Sequence, residues 1–331
     1  MKRMRWVWSS TLLIAVVVGQ GCGAEGTIPN DPNAGLEPVS GTKDAGGATT
    51  PDAGVDADGG SKVTHVPCVP TGNPTLLSQT CLYSNIAKKE IDPDSLSFEP
   101  AYALWTDGAV KRRWVRLPGG SKIDTSDMDH WQFPVGTRVF KEFSLDGKLL
   151  ETRMIERVGP GEDASAYSLV SFVWQEDSAD AVLNTAGAAN VLGTNHDVPS
   201  QKECDDCHKG EAGRVLGFSA VQLSTPGPGL SLAALVSRGW FSVNPPAGAS
   251  YPAPGNATEA AAFGYLHANC GHCHNPNGMA FKWTNVVLRL SVSETTATAT
   301  QIHATTVNVG AQLVTRRHLN RVVPKEPGSS D

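Results

Sequence analysis

Two short segments, Cys204-Asp205-Asp206-Cys207-His208 and Cys270-Gly271-His272-Cys273-His274, repeat one pattern, C-x-x-C-H. No other feature limits the chain so sharply. Two thiols three positions apart share one side of a helical turn, where they reach the two vinyl groups along one edge of a haem. The histidine that follows is then carried under the ring to bind iron from the proximal side. With 7 Cys and 9 His in the chain, chance supplies the pattern on the order of 0.005 times. One zinc held by four thiolates and a pair of redox dithiols or small disulfides are the competing uses. Both leave His208 and His274, at the same offset twice, without a purpose. The expectation is therefore two covalent haem c groups, attached through Cys204, Cys207, Cys270 and Cys273, with His208 and His274 as axial iron ligands.

The three remaining cysteines follow from the compartment in which such attachment occurs. Lys2, Arg3 and Arg5 precede a largely apolar run over 6–18, which is too short to span a bilayer comfortably. Gly19-Gln20-Gly21-Cys22 closes the run and resembles a lipobox, with Gly19 where Leu or Val is usual. Residues 1–22 read as a lipoprotein signal peptide with Cys22 as the lipidation site. The alternatives are a plain secretory signal or an uncleaved anchor. Each places the body outside the cytoplasm, where Cys68 and Cys81 can pair as a disulfide. Gly23 carries no inner-membrane retention signal, so the outer membrane is the preferred destination, within a cell-envelope location facing the periplasm or the surface.

Residues 23–62 read as a disordered linker. Gly, Asp, Ala and Thr dominate there, and nothing in the segment can offset the entropy of ordering it. Residues 63–195 read as β-rich. Strands are predicted over 110–117, 138–145, 149–155 and 167–174, and Asp146-Gly147 between the second and third is a strong hairpin signal. Beyond Asn195 the chain becomes loop-rich, with short helices expected over 230–236 and 258–269, the latter capped by Thr258. The fold class expected is α+β, with an antiparallel β-sandwich-like domain followed by a mainly α, cytochrome c-like region over 196–331. The second motif follows a helix directly. The first has no such lead, so its haem is expected to be the more exposed or to be ligated by two histidines. Trp105, Trp114, Trp131 and Trp174 are expected in the β core; the alternative is a ligand-binding face formed with Asp107, Lys111, Arg112 and Arg113. The net charge of −6 with no basic stripe argues against nucleic acid as a partner.

The iron's sixth position is less determined. Met279 is the only methionine after His274, and it lies too close to swing over the same haem, though it remains a candidate for the other one. His196, His267 and His303 are the further distal candidates. His272 and His318 rank below them, since one lies inside a motif and the other follows two arginines.

Several stretches together resemble a family of exported bacterial dihaem c-type cytochromes of uncharacterised function, over residues 74–331. They are Leu104-Trp105-Thr106-Asp107-Gly108-Ala109-Val110-Lys111-Arg112-Arg113-Trp114, Trp131-Gln132-Phe133-Pro134-Val135-Gly136-Thr137 and Glu151-Thr152-Arg153. The first motif, Leu216-Gly217, Gln222-Leu223 and Asn269 with the second motif complete the likeness. The resemblance implies haem binding and electron transfer and names no substrate. It also implies a short Met-Pro segment after Ser330 that this sequence lacks, so a truncated C-terminus is expected. The function expected is electron transfer in the cell envelope, with redox proteins as partners and the membrane engaged through the lipid. The alternatives are a haem peroxidase or oxidase acting on a ligand held by the β domain, and a non-haem surface module for zinc or polysaccharide. The closeness of the two motifs weakens the peroxidase version.

Overall fold

Alternation of apolar and polar side chains over 110–117, 138–155 and 167–174 asks for strands with two distinct faces, and the chain builds one large sheet from them. A computed structural model describes residues 67–106, 108–225, 227–311 and 321–323. The signal segment, Cys22, the tether, Asp107 and His318 lie outside the described residues. Strands β3 (Leu96–Ser97), β4 (Val110–Arg116), β5 (Arg138–Leu145), β6 (Lys148–Arg157), β7 (Tyr167–Trp174) and β8 (Ala181–Asn184) pair in sequence order, every neighbour antiparallel. The β5–β6 turn is Asp146-Gly147, with φ of 50° and 80°, the doubly left-handed geometry that favours this dipeptide.

One face of the sheet presents Trp114, Phe140, Met154, Phe172 and Trp174 to Leu77, Leu82 and Tyr83. These last belong to the N-terminal segment, which carries a two-stranded pair, β1 (Tyr83–Asn85) and β2 (Glu90–Ile91). The Cys68 and Cys81 sulfurs are bonded at 1.94 Å. The opposite face sends Val115 and Val139 into a core with Phe98, Trp131, Phe133, Phe218, Leu235 and Phe241. Residues on both sides of position 195 thus build one core, and the described residues lie in one compact unit.

The architecture is α+β. Instead of two stacked large sheets, a single six-stranded sheet is covered by the N-terminal segment on one face and by loops and short helices on the other. The apolar residues beyond 195 come in short groups broken by Gly and Pro, which can cover a sheet without forming a second one. The helices are α1 (Gln201–His208), α2 (Leu232–Ser237), α3 (Ala257–Asn269), α4 (Phe281–Thr284) and α5 (Gln301–Thr306). The cap of α3 is Asn256 rather than Thr258. Its Oδ1 accepts from the Thr258 and Glu259 amides at 3.0 and 3.1 Å, and Glu259 bonds back to the Asn256 amide to complete a capping box. Trp114, Trp131 and Trp174 are buried, whereas Trp105 is 64% exposed. It sits on the approach to β4, where the alternation that buries Trp114 has not begun. No helix among the described residues is long and apolar enough to cross a membrane.

Candidate functional site

The first C-x-x-C-H motif lies wholly on α1. Ser200 caps that helix, and its own amide donates to the Glu203 carboxylate at 2.8 Å. This capping box, Ser200-x-x-Glu203, is legible in the sequence and marks a helix that the sequence reading did not assign. Cys204 is 8% exposed and packs on Tyr167 and Leu169 of β7. Burial pushes its thiol pKa up. Cys204 is the most buried of the four motif cysteines, because α1 lies directly on the sheet.

His208 closes α1. Its Nδ1–H donates to the Arg214 carbonyl at 2.7 Å, which fixes the tautomer and leaves the Nε2 lone pair available to a metal. Burial drives its pKa down to about 4, and charges on Lys141, Arg153 and His272 push the same way. Arg214 is held in place by its own guanidinium, which pairs with Asp205 one turn back in the helix. The loop that leaves the motif thus returns to orient its histidine.

Cys204 and His208 line a narrow cleft with about 60 Å³ of accessible space; cofactor sites usually offer roughly 300–1,000 Å³, so a porphyrin would enter only if the walls part. Its floor is the sheet, with Arg113, Val139, Lys141, Arg153, Ile155 and Leu169; Pro100, Tyr102, Leu104 and Leu216 help close it. Most of these side chains are apolar. The exceptions on the floor are cations. Lys141 is held far below the usual lysine range by burial and then by Arg153, Arg113 and Lys111. Lys111, which donates to the Leu104 carbonyl, is lowered to about 8 by burial and by Arg113.

The second motif follows α3 without a break. The Cys270 amide bonds to the Leu266 carbonyl at 2.9 Å, and the His274 amide bonds to the Cys270 carbonyl at 2.9 Å. Asn275 Nδ2 donates to the Gly271 and His272 carbonyls at 2.7 and 3.1 Å, which pins the turn. The His274 Nδ1 lies 3.4 Å from the Thr284 hydroxyl. That hydroxyl donates to the Ala280 carbonyl at 3.1 Å, so it can accept from His274. Burial, then Arg321, lowers the His274 pKa. Both motif histidines therefore have Nδ1 beside an oxygen.

The two motifs touch. A Cβ on Gly210 would lie 2.1 Å from the His272 carbonyl oxygen, so only glycine permits this approach. Beyond it, Glu211 pairs with Arg289 at 3.0 Å. His272, ranked low on sequence grounds, has a buried Nδ1 without a hydrogen-bond partner and lies close enough to His208 for the two to influence each other's charge.

The distal candidates are not gathered at the cleft. His196 is buried and bonds through Nε2 to Glu151 at 2.8 Å, with its ring against Phe143. His267 Nδ1 accepts from the Leu290 amide at 3.1 Å, and burial lowers its pKa to about 3. Met279 is 45% exposed, and His303 lies on α5. None of the four lines the cleft of Cys204 and His208. Among the described residues no three His, Cys, Asp or Glu side chains converge to hold a metal ion, so the motif thiols do not form one tetrahedral set.

Comparison with known proteins finds no matching family model, no matching curated protein and no matching solved structure.

Proposed function

We propose that this chain is an exported electron carrier holding two c-type haems, one at each C-x-x-C-H motif, in a cytochrome c-like region over 196–331. The observation that carries the reading is the state of the motif histidines. His208 and His274 each have Nδ1 beside an oxygen acceptor, at 2.7 and 3.4 Å, which is the arrangement that orients an imidazole for metal binding through Nε2. At the first motif that histidine and a buried cysteine line a narrow, mostly apolar cleft. The chemistry of these side chains suits a haem there, with the walls parted to admit it.

A bound haem supplies one-electron redox chemistry. The chain's own part is to hold and insulate it. Cys204 and Cys207 would hold the group, His208, with its tautomer set by the Arg214 carbonyl, would offer Nε2, and Phe98, Tyr102, Leu104, Val139 and Leu169 would supply apolar walls. The contact between Gly210 and His272 brings the two attachment segments together, as transfer between two centres in one molecule requires. The signal and lipid site at Cys22 would tether this carrier to the envelope, with the outer membrane preferred and redox proteins as its partners.

The second reading, peroxide or small-ligand chemistry at an open sixth position, is favoured by one fact: none of His196, His267, Met279 and His303 lines the first cleft. The zinc reading loses support because the four motif thiols do not converge.

The test is export of the protein alongside working haem-attachment enzymes, followed by intact mass and visible spectra. Two haem masses are expected, falling to one in a Cys204→Ala, Cys207→Ala double variant. Iron-free, colourless protein from cells that mature other cytochromes normally would refute the proposal.

A further inference from the structure

Three cations and a hydroxyl stand side by side on the face of the sheet that floors the first cleft. Antiparallel register sets Arg113 of β4 opposite Lys141 of β5, Lys141 opposite Arg153 of β6, and Arg153 opposite Ser171 of β7. Like charges directly opposite destabilise a sheet, and this row contains two such pairs in succession.

Their neutralisation is incomplete. Arg153 bonds to Glu151 through Nε at 3.0 Å, and that carboxylate is shared with His196. Arg113 is 8% exposed, and burial lowers its pKa while Glu99 opposes the shift. No acceptor bonds the Arg113 guanidinium or the Lys141 ammonium among the described residues. At the end of the row the Ser171 hydroxyl is buried and has no hydrogen-bond partner. The half-buried Lys141 ammonium has only the Phe143 ring beside it, 4.9 Å from the centroid, and a cation withdrawn from water without a carboxylate is costly unless something of opposite charge occupies the space beside it. That space is the cleft itself, since Arg113, Lys141 and Arg153 all line it.

We propose that this row seats the two propionate carboxylates of the haem attached at Cys204 and Cys207. The inference rests on the haem reading above and adds the orientation of the group within its cleft. Cys204 packs on Leu169 of β7. Arg113 on β4 is three strands away, about 14 Å at the usual strand spacing of roughly 4.8 Å. Lys141 on β5 is two strands away. These separations match the span from the thioether edge of a porphyrin to the carboxylates on its other side. Two carboxylates answer the two cations that lack acceptors, as charge-assisted hydrogen bonds in a dry site. The propionate edge thus faces the sheet instead of solvent.

The experiment compares the matured full-length wild type with Arg113→Gln, Lys141→Gln and the charge-keeping Arg113→Lys. Covalent haem count, the two midpoint potentials and the iron spin state are measured on each. Wild type and variants are expected to carry two haems. In each Gln variant one potential falls, because a positive charge that opposed oxidised iron has gone. The expected fall changes the reduced-to-oxidised ratio about tenfold, which is about 59 mV for one electron. The other potential stays fixed, and Arg113→Lys restores the wild-type value. Two-haem Gln variants with unchanged potentials overturn the proposal. So does a switch to high-spin iron in Lys141→Gln, which would make Lys141 an iron ligand and not a carboxylate partner. If Lys141→Gln fails to mature, the Arg113→Gln and Arg113→Lys pair decides on charge alone. Wild type without haem overturns the underlying reading, and this one with it.

Discussion

The two motif histidines are held by different acceptors, a backbone carbonyl for His208 and a hydroxyl for His274. A stronger acceptor at Nδ1 makes the imidazole more basic and favours oxidised iron. Thr284→Val removes the acceptor at His274, and in the matured protein it is expected to raise one midpoint potential while leaving the other unchanged. A titration followed by visible absorption measures both. His267 gives a second expectation, for stability. Its folded pKa of about 3 lies below the ordinary value of 6.5, so between these values the unfolded chain binds a proton that the folded chain refuses. The stability from neutral His267 is complete above about pH 6.5 and is lost as pH falls towards 3. Urea midpoints at pH 7 and pH 4.5 should differ less in His267→Gln than in wild type. The motif cysteines and histidines stand out in the sequence because one local spacing occurs twice. Arg113, Lys141 and Arg153 were not seen as a set. They lie far apart in the chain, and only strand register aligns them.

Among the elements, β4 to β7 were readable from alternation and from the Asp146-Gly147 turn, since both follow from local backbone preference. The missing element was α1. Its Asp205, Asp206 and Lys202 gave no apolar stripe, and the capping box at Ser200 and Glu203 was its only local mark. The expected second large sheet was a misreading of strand number as sandwich. Counting strands does not say whether they stack or lie side by side, and here all the long ones lie side by side. Capping also controls the approach to the second motif, because α3 runs from Asn256 to Cys270. Asn256→Ala removes an acceptor for two amides and is expected to cost roughly 1 kcal/mol, read as a lowered urea midpoint.

At the scale of the molecule, the shared core means that neither half is self-sufficient. Phe218, Leu235 and Phe241 are covered by Val115, Val139 and Trp131. A fragment of residues 196–331 is therefore expected to be digested rapidly under limited proteolysis that leaves the whole protein intact. The contact at Gly210 makes another expectation for matured protein. Two haems held by touching segments should couple their strongest absorption, giving a two-signed circular dichroism signal that becomes single-signed in the Cys204→Ala, Cys207→Ala variant.

The seating of Cys204 between helix and sheet has a consequence for the order of events. Once the body closes, that sulfur is walled in by Tyr167 and Leu169, and an enzyme delivering a porphyrin could no longer reach it. On the proposed reading, bond formation and closure are in a race that bond formation has to win. Arrival outside the cytoplasm as an unfolded thread keeps the sulfur in reach. A sequence change that hastened folding without altering the finished shape would then leave more molecules permanently empty.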